Sequence, residues 1–141
     1  MTATGLGTGR IQVGIDVVSV SDVEQSLLRF EDRYIQRVFT ADECTYCRAA
    51  TGRTAAARFA ARFAAKEAAL KALRPEEPWA DWRAIEVRRH ASGRCDIVLH
   101  GALAALAARA GVHDMALSMS HDDDRATAIV IAQITDVHEE P

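Results

Sequence analysis

The chain has 141 residues, 49% of them apolar and 6% aromatic, with a formal net charge of -3. That is one domain's worth of sequence with enough apolar surface for a core, which excludes a disordered chain. The charge balance makes no general case for nucleic acid or membrane as a partner. No apolar run can span a bilayer and MTATGLGTGRIQ lacks the regions of a signal peptide, so a cytoplasmic protein is expected.

Residues 1–10, rich in Gly and Thr, read as a loose tail, 11–134 as a single domain, and 135–141 as a solvated tail. IQVGIDVV (11–18) is short, β-branched and strand-like. Ser21 and Glu24 have the spacing of a capping box, which predicts a helix carrying Val23, Leu27, Leu28 and Phe30. Thr40 and Glu43 repeat that signature and predict a short helix to about Ala50, with Gly52 as terminator.

Cys44 and Cys47 form a C-x-x-C pair, but no second pair supplies a zinc set and no strand precedes them as in a redox site. The three cysteines are expected to be ordinary small side chains.

A long helix follows from about Thr54 to Leu73. Phe59, Phe63, Lys66, Leu70 and Leu73 make one helical stripe, with Glu67 and Lys71 on the turn beside it and Arg58 and Arg62 in a flanking basic row. The two prolines of PEEPWADW (75–82) forbid either ladder and mark a loop. RAIEVRRH and RCDIVLH, joined by ASG, predict a β-hairpin over 84–99; GALAALAARAG is a short helix ending at Gly111. DMALSMS and RATAIVIAQI close the chain as two strands around the polar turn SHDDD. Without regular βαβ alternation, the class is α+β with antiparallel sheet packed against the long helix.

Three polar groups interrupt apolar surroundings: Asp16 in the first strand, Glu67 in the long helix, and His121 with Asp122 closing the strand DMALSMS. A carboxylate among aliphatics needs a cation or hydrogen bonds, although backbone amides could satisfy Asp16 and Lys71 could satisfy Glu67. Two carboxylates suit Mg²⁺, which keeps waters and takes the rest of its shell from a substrate phosphate. Nearby lysines and arginines would meet the remaining phosphate charge. The residues alone therefore point to a Mg²⁺–phosphate site at Asp16 and Glu67, and a plain phosphohydrolase would use the same pair.

GIDVVSV, RFAAKEAALKAL and SMSHDDDRATAIVI together resemble the holo-acyl-carrier-protein synthases, the short, trimeric branch of the 4′-phosphopantetheinyl transferases, over about residues 11–133. The resemblance implies transfer of the phosphopantetheine arm of coenzyme A to a serine of an acyl carrier protein, with release of 3′,5′-ADP. It implies Asp16 and Glu67 as Mg²⁺ ligands and Lys71 on the coenzyme A phosphates. Arg62 and His121 would lie near the nucleotide end and its 3′-phosphate, Lys66 and Ser120 would also bind coenzyme A, and Asp122 would reach the metal or its water. Metal-bound water, Glu67, Asp122 and His121 all remain open as the base. The resemblance further implies a homotrimer with sites between subunits. The alanines around Glu67 would then let a ligand and a neighbouring subunit approach the long helix.

Two departures stand out. The glycine-rich loop expected after the long helix reads LRPEEPWADW, and Asp22 occupies the place of an arginine that faces the carrier in the family. Arg29, Arg33 and Arg37 could form the basic face instead. A fatty-acid or a polyketide carrier is equally compatible, and a non-catalytic binder of coenzyme A or carrier is the alternative.

Overall fold

The computed structural model describes residues 9–30 and 32–136; the remaining positions of the expected tails lie outside the described residues. Its elements run β1 (Gly9–Ser19), α1 (Val20–Phe30), α2 (Asp32–Val38), α3 (Ala41–Arg48) and α4 (Gly52–Leu73). A 3-10 turn (Trp82–Ala84) then leads into β2 (Ile85–Arg89), β3 (Cys95–Leu99), α5 (Gly101–Arg109), β4 (Val112–His121) and β5 (Arg125–Thr135). β1, β5 and β4 form one antiparallel sheet in that order, and β2–β3 a separate hairpin. The α+β class with antiparallel sheet on a long helix is therefore what the chain adopts.

Local chemistry explains most boundaries. The Thr40 hydroxyl accepts from the Glu43 N–H while the Glu43 carboxylate accepts from the Thr40 N–H, so the expected capping box starts α3. The corresponding box at Ser21 does not form. Helix α1 begins earlier because Ser19 Oγ accepts from the Asp22 N–H, leaving Ser21 to accept from Arg53 and Glu24 to pair with Arg53 at 3.6 Å. Leu28 and Phe30 are 78% and 50% exposed, so α1 buries Val20 and Val23 rather than the full apolar set. Gly52, expected to end α3, is instead the first residue of α4, with φ of 58°.

Helix α4 is the centre of the molecule. It is buried on most of its circumference: Phe59 and nine of its alanines lie below 6% exposure, so the stripe pattern understated how much of it is enclosed. It lies across β1 and β5 at very close range. A Cβ on Gly14 would stand 1.9 Å from the Ala68 carbonyl oxygen and 2.8 Å from the Ala72 nitrogen, so only glycine fits there. The alanines thus serve contact within the chain: Ala64, Ala65, Ala68, Ala69 and Ala72 pack with Val87, Leu103, Ala128, Val130 and Ala132. This corrects the expectation that they stay open for a ligand or neighbour.

The strands alternate sharply. On β1 the even positions around Gly14 face α4, whereas Ile11, Val13, Ile15 and Val17 stand 47–63% exposed on the other face. Register pairs Ile15 with Ile129, which is 36% exposed, so an apolar sheet face lies uncovered in the single chain. No helix among the described residues is long and apolar enough to cross a membrane.

Candidate active site

Asp16 and Glu67 meet at the edge where β1 crosses α4. Asp16 lies two residues beyond Gly14, and Glu67 precedes Ala68, so the contact that excludes a Cβ also brings the two carboxylates together. The Asp16 side chain is 14% exposed and accepts a hydrogen bond from Lys71 Nζ at 3.0 Å; that ammonium also donates to the Ile15 carbonyl at 2.9 Å. Burial and the neighbouring charge of Asp16 push the Glu67 carboxyl above the usual range, against the opposing pull of Lys71. Two carboxylates in a half-enclosed corner repel each other, and one exposed lysine offsets only part of that charge. A small hard cation fits this donor set, with water and substrate phosphate completing its shell. Among the described residues no cluster of three or more His, Cys, Asp or Glu forms.

Tyr34 joins this corner from α2. Burial and the Glu67 charge push its hydroxyl up to about 12. No motif pointed to it, because its proximity to Glu67 depends on how α2 folds back, and α2 itself carries no strong cap signal. Next to it, Arg33 and Arg37 line a concavity of about 790 Å³ with Phe30, Tyr34 and Trp82.

Lys66 does not face this corner. Its side chain is fully buried, and its ammonium donates to Glu43 Oε1 at 2.7 Å, to the Trp82 carbonyl at 3.2 Å and to the Ile85 carbonyl. Burial pulls its pKa down against the pull of Glu43. The expectation of Lys66 at a ligand is corrected accordingly: every stabilising partner it has is internal.

Arg62 lies on another flank of α4, five residues and so about 140° around the helix from Glu67. Its guanidinium stacks 4.2 Å from the Tyr46 ring centroid, with those of Arg58 and Arg89 at 4.4 and 4.8 Å from the same ring. None of the three has a carboxylate within ion-pair distance among the described residues. Arg62 and Arg89 line, with Arg88, a concavity of about 360 Å³ beside β2 whose wall also carries Asp42, Glu43 and Glu86; its arginine side offers donors to an anion. The sequence showed Arg58 and Arg62 as a basic row but gave no sign of Tyr46 or Arg89.

His121 and Ser120 sit at the end of β4. Alternation from Met119 puts His121 on the α4 side of the sheet and Ser120 on the open face, both exposed. Register runs Asp16–Ala128–Met119, so His121 is two strands away from Asp16, roughly 10 Å sideways, on the far flank of α4. Asp122 is committed to the β4–β5 turn. Its Oδ1 accepts from the N–H groups of Asp124 and Arg125, both at 2.8 Å, which holds its carboxyl below the usual range. Within one chain, then, Asp16, Glu67 and Lys71 assemble, whereas Arg62, Ser120, His121 and Asp122 do not join them.

The PEEP loop leaves α4 through Arg74, whose φ of 51° and ψ of 57° are left-handed. It turns toward α5, forming a groove of about 590 Å³ with Leu106 and Arg109, and Glu76 and Glu77 are exposed. Cys47 is buried, which pushes its thiol up to about 12, and Cys44 is also raised by burial, so both remain neutral thiols.

Known proteins share this sequence pattern and fold. The family model described as the 4′-phosphopantetheinyl transferase superfamily matches residues 12–130. A holo-[acyl-carrier-protein] synthase of Koribacter versatilis is 42% identical over 121 residues, covering 85% of this chain and 95% of its own. The apo structure of the corresponding Chronobacterium ammoniagenes protein superposes with a TM-score of 0.81 at 29% identity, covering 91% of this chain and 99% of that one. Its complex with coenzyme A gives 0.78 at 30% identity, covering 90% and 99%. The chain belongs to the 4′-phosphopantetheinyl transferase superfamily, as an enzyme of its holo-[acyl-carrier-protein] synthase branch.

Proposed function

We propose that the chain transfers the 4′-phosphopantetheine arm of coenzyme A to a serine hydroxyl of an apo acyl carrier protein in the cytoplasm, with Mg²⁺ held by Asp16 and Glu67. The observation that carries this reading is the meeting of those two carboxylates with Lys71 at the β1–α4 crossing. In the transfer, the serine oxygen bonds to the β-phosphorus of coenzyme A and the bridging P–O bond breaks. The bridging oxygen departs with 3′,5′-ADP, and the serine proton passes to a base. Bound Mg²⁺ would supply charge neutralisation at the pyrophosphate. Lys71 is half-exposed and can turn from Asp16 to a phosphate oxygen; Glu67, held above its usual pKa, is suited to sharing a proton when no cation is bound. Asp122 is a poor base, since two backbone donors stabilise its anion.

The two halves of the chemistry lie on opposite flanks of α4: Asp16, Glu67 and Lys71 beside β1, and Arg62 and His121 beside the hairpin and β4. A ligand touching both needs the β1 flank of one copy against the β4 flank of the next. Such a head-to-tail contact closes into a ring when its rotation is a third of a turn, the homotrimer, and the uncovered face of Ile11, Val13, Ile15 and Val17 supplies apolar surface for it. In that ring the Tyr46–Arg62 recess and His121 would receive the nucleotide phosphates, and Ser120 would lie at the inter-copy boundary. Arg29, Arg33 and Arg37, exposed around Phe30 and Tyr34, supply a basic face for an acidic carrier despite Asp22.

Intact-mass spectrometry of apo fatty-acid and polyketide carrier proteins, incubated with coenzyme A and Mg²⁺, tests this. The carrier should gain about 340 Da, the mass of the transferred arm, and chelation should abolish the gain. Absence of the gain with every carrier, or breakdown of coenzyme A without any carrier, would count against it.

A further inference from the structure

Directly behind Glu67 in sequence lies a buried contact that it does not itself make. One residue earlier on α4, Lys66 is fully buried, as is Glu43 on α3, and their charged groups lie 2.7 Å apart. The Glu43 carboxylate holds three segments at once. Oε1 accepts from Lys66 and from the Thr40 N–H at 2.8 Å, and Oε2 from the Val87 N–H of β2 at 2.9 Å. The Lys66 ammonium in turn holds the carbonyls of Trp82 and Ile85. A helix rolled by a few degrees would strain several of these short bonds together, whereas most of its other buried contacts are made by alanine methyl groups, which resist rotation weakly. Lys66 is the one charged side chain of α4 that is fully buried among the described residues, so the pair is an enclosed, directional contact on a largely alanine-covered helix.

A second layer fixes Glu43. The Thr40 hydroxyl accepts from the Glu43 N–H and donates to Glu86 at 2.9 Å, and Glu86 also accepts from His100 at 3.1 Å. Burial works against the Glu86 anion, but these hydrogen bonds outweigh it and hold its carboxyl below the usual range. The lock is therefore tied through β2 to the start of α5, well away from Asp16.

We propose that the buried Glu43–Lys66 pair sets the roll of α4 about its axis and so positions Glu67 and Lys71 against Asp16. Both residues are positioning residues, and the proposal rests on the reading of that corner as the metal and phosphate site. A buried ion pair contributes little net stability compared with apolar residues of similar volume, which leaves positioning as the role that its geometry serves.

Three full-length variants test it: Glu43→Gln, Lys66→Met, and the apolar double replacement Glu43→Leu/Lys66→Met. In metal-free protein, ¹⁵N–¹H spectra should show the amides of Asp16 and Lys71 shifted in all three, although neither residue touches the pair. Mn²⁺ affinity, read by electron paramagnetic resonance, should fall at least about ten-fold, the usual cost of losing a supporting contact behind a ligand. kcat should fall further than KM for the carrier changes, because Arg29, Arg33 and Arg37 of the carrier face make no hydrogen bond or ion pair with Glu43 or Lys66. The double variant should melt near wild type while keeping these defects, and Glu43→Gln, which preserves volume, keeps the test open if Lys66→Met does not fold. A lowered melting temperature alone, with amides and Mn²⁺ affinity unchanged, would overturn the proposal, as would full recovery in the double variant. If wild type binds no Mn²⁺ through Asp16 and Glu67, the metal reading fails, while the metal-free spectra still decide the positioning.

Discussion

Replacing Gly14 by alanine is the sharpest perturbation the fold offers, because one methyl group acts on both packing and chemistry. The new Cβ would lie 1.9 Å from a backbone oxygen of α4, where real contacts are not found below 3.0 Å, so helix and strand must part by more than an ångström. Neither obstructing atom can swing aside, since both the Ala68 oxygen and the Ala72 nitrogen belong to the helix backbone. Overpacking of this kind costs about 3 kcal/mol. For a domain of this size that lowers the melting temperature by roughly 10 °C. The same parting separates Asp16 from Glu67, and a shift of about 1 Å in a reacting geometry can cost on the order of 100-fold in rate. Gly14→Ala should therefore melt near that lower temperature by calorimetry. Assayed well below it, the variant should lose far more activity than the unfolded fraction explains. A melting temperature within 2–3 °C of wild type, with transfer within about two-fold, would refute the reasoning about the crossing.

Other outcomes follow from single residues. Arg74 holds a left-handed conformation that costs a non-glycine residue about 1 kcal/mol, so Arg74→Gly should raise the melting temperature by a few degrees. An unchanged or lower value would show the cap to be unstrained. Because the folded chain raises the Glu67 pKa, that carboxyl contributes stability at low pH that is lost as pH rises through its folded value. In metal-free protein, Glu67→Gln should then melt above wild type at pH 7.5, with the difference closing below about pH 4. A constant gap across pH would exclude charge as the cause. Mixing inactive Glu67→Gln chains with inactive His121→Ala chains, then dissociating and reassociating them, should restore roughly a quarter of wild-type activity if each site takes these residues from neighbouring copies. No recovery, with mixed assemblies verified by native mass spectrometry, would place the site within one chain.

Much of the frame was legible because its signals are local. The Thr40–Glu43 box, the ASG turn and the Gly111 stop each involve residues within a few positions of one another, and each appears where expected. The Asp16–Glu67 corner was legible for another reason: a carboxylate among aliphatics is costly wherever the chain folds, so it had to find company. What escaped depends on long-range contacts. Lys66 looked like a ligand because a lysine on an apolar stripe has no local explanation; its partner is 23 positions away. IQVGIDVV did not show which face is covered: its apolar residues Ile11, Val13, Ile15 and Val17 share the open face, whereas Gln12, Gly14, Asp16 and Val18 lie on the α4 side. Ser19 rather than Ser21 caps α1 because β1 runs directly into the helix, which no spacing rule registers. Tyr46 gathers three arginines from two elements, and only the packing of β2 against α3 and α4 brings Arg89 there.

The most direct test of the account is the fate of the carboxylate pair itself. Asp16→Asn and Glu67→Gln preserve shape and remove one charge each, so the fold should survive and thermal melts can verify it. Incubated with coenzyme A, Mg²⁺ and a carrier that wild type modifies, neither variant should deliver the gain of about 340 Da at an appreciable rate. Folded variants that modify the carrier as fast as wild type, with unchanged Mg²⁺ dependence, would contradict the assignment of this corner as the centre of the reaction.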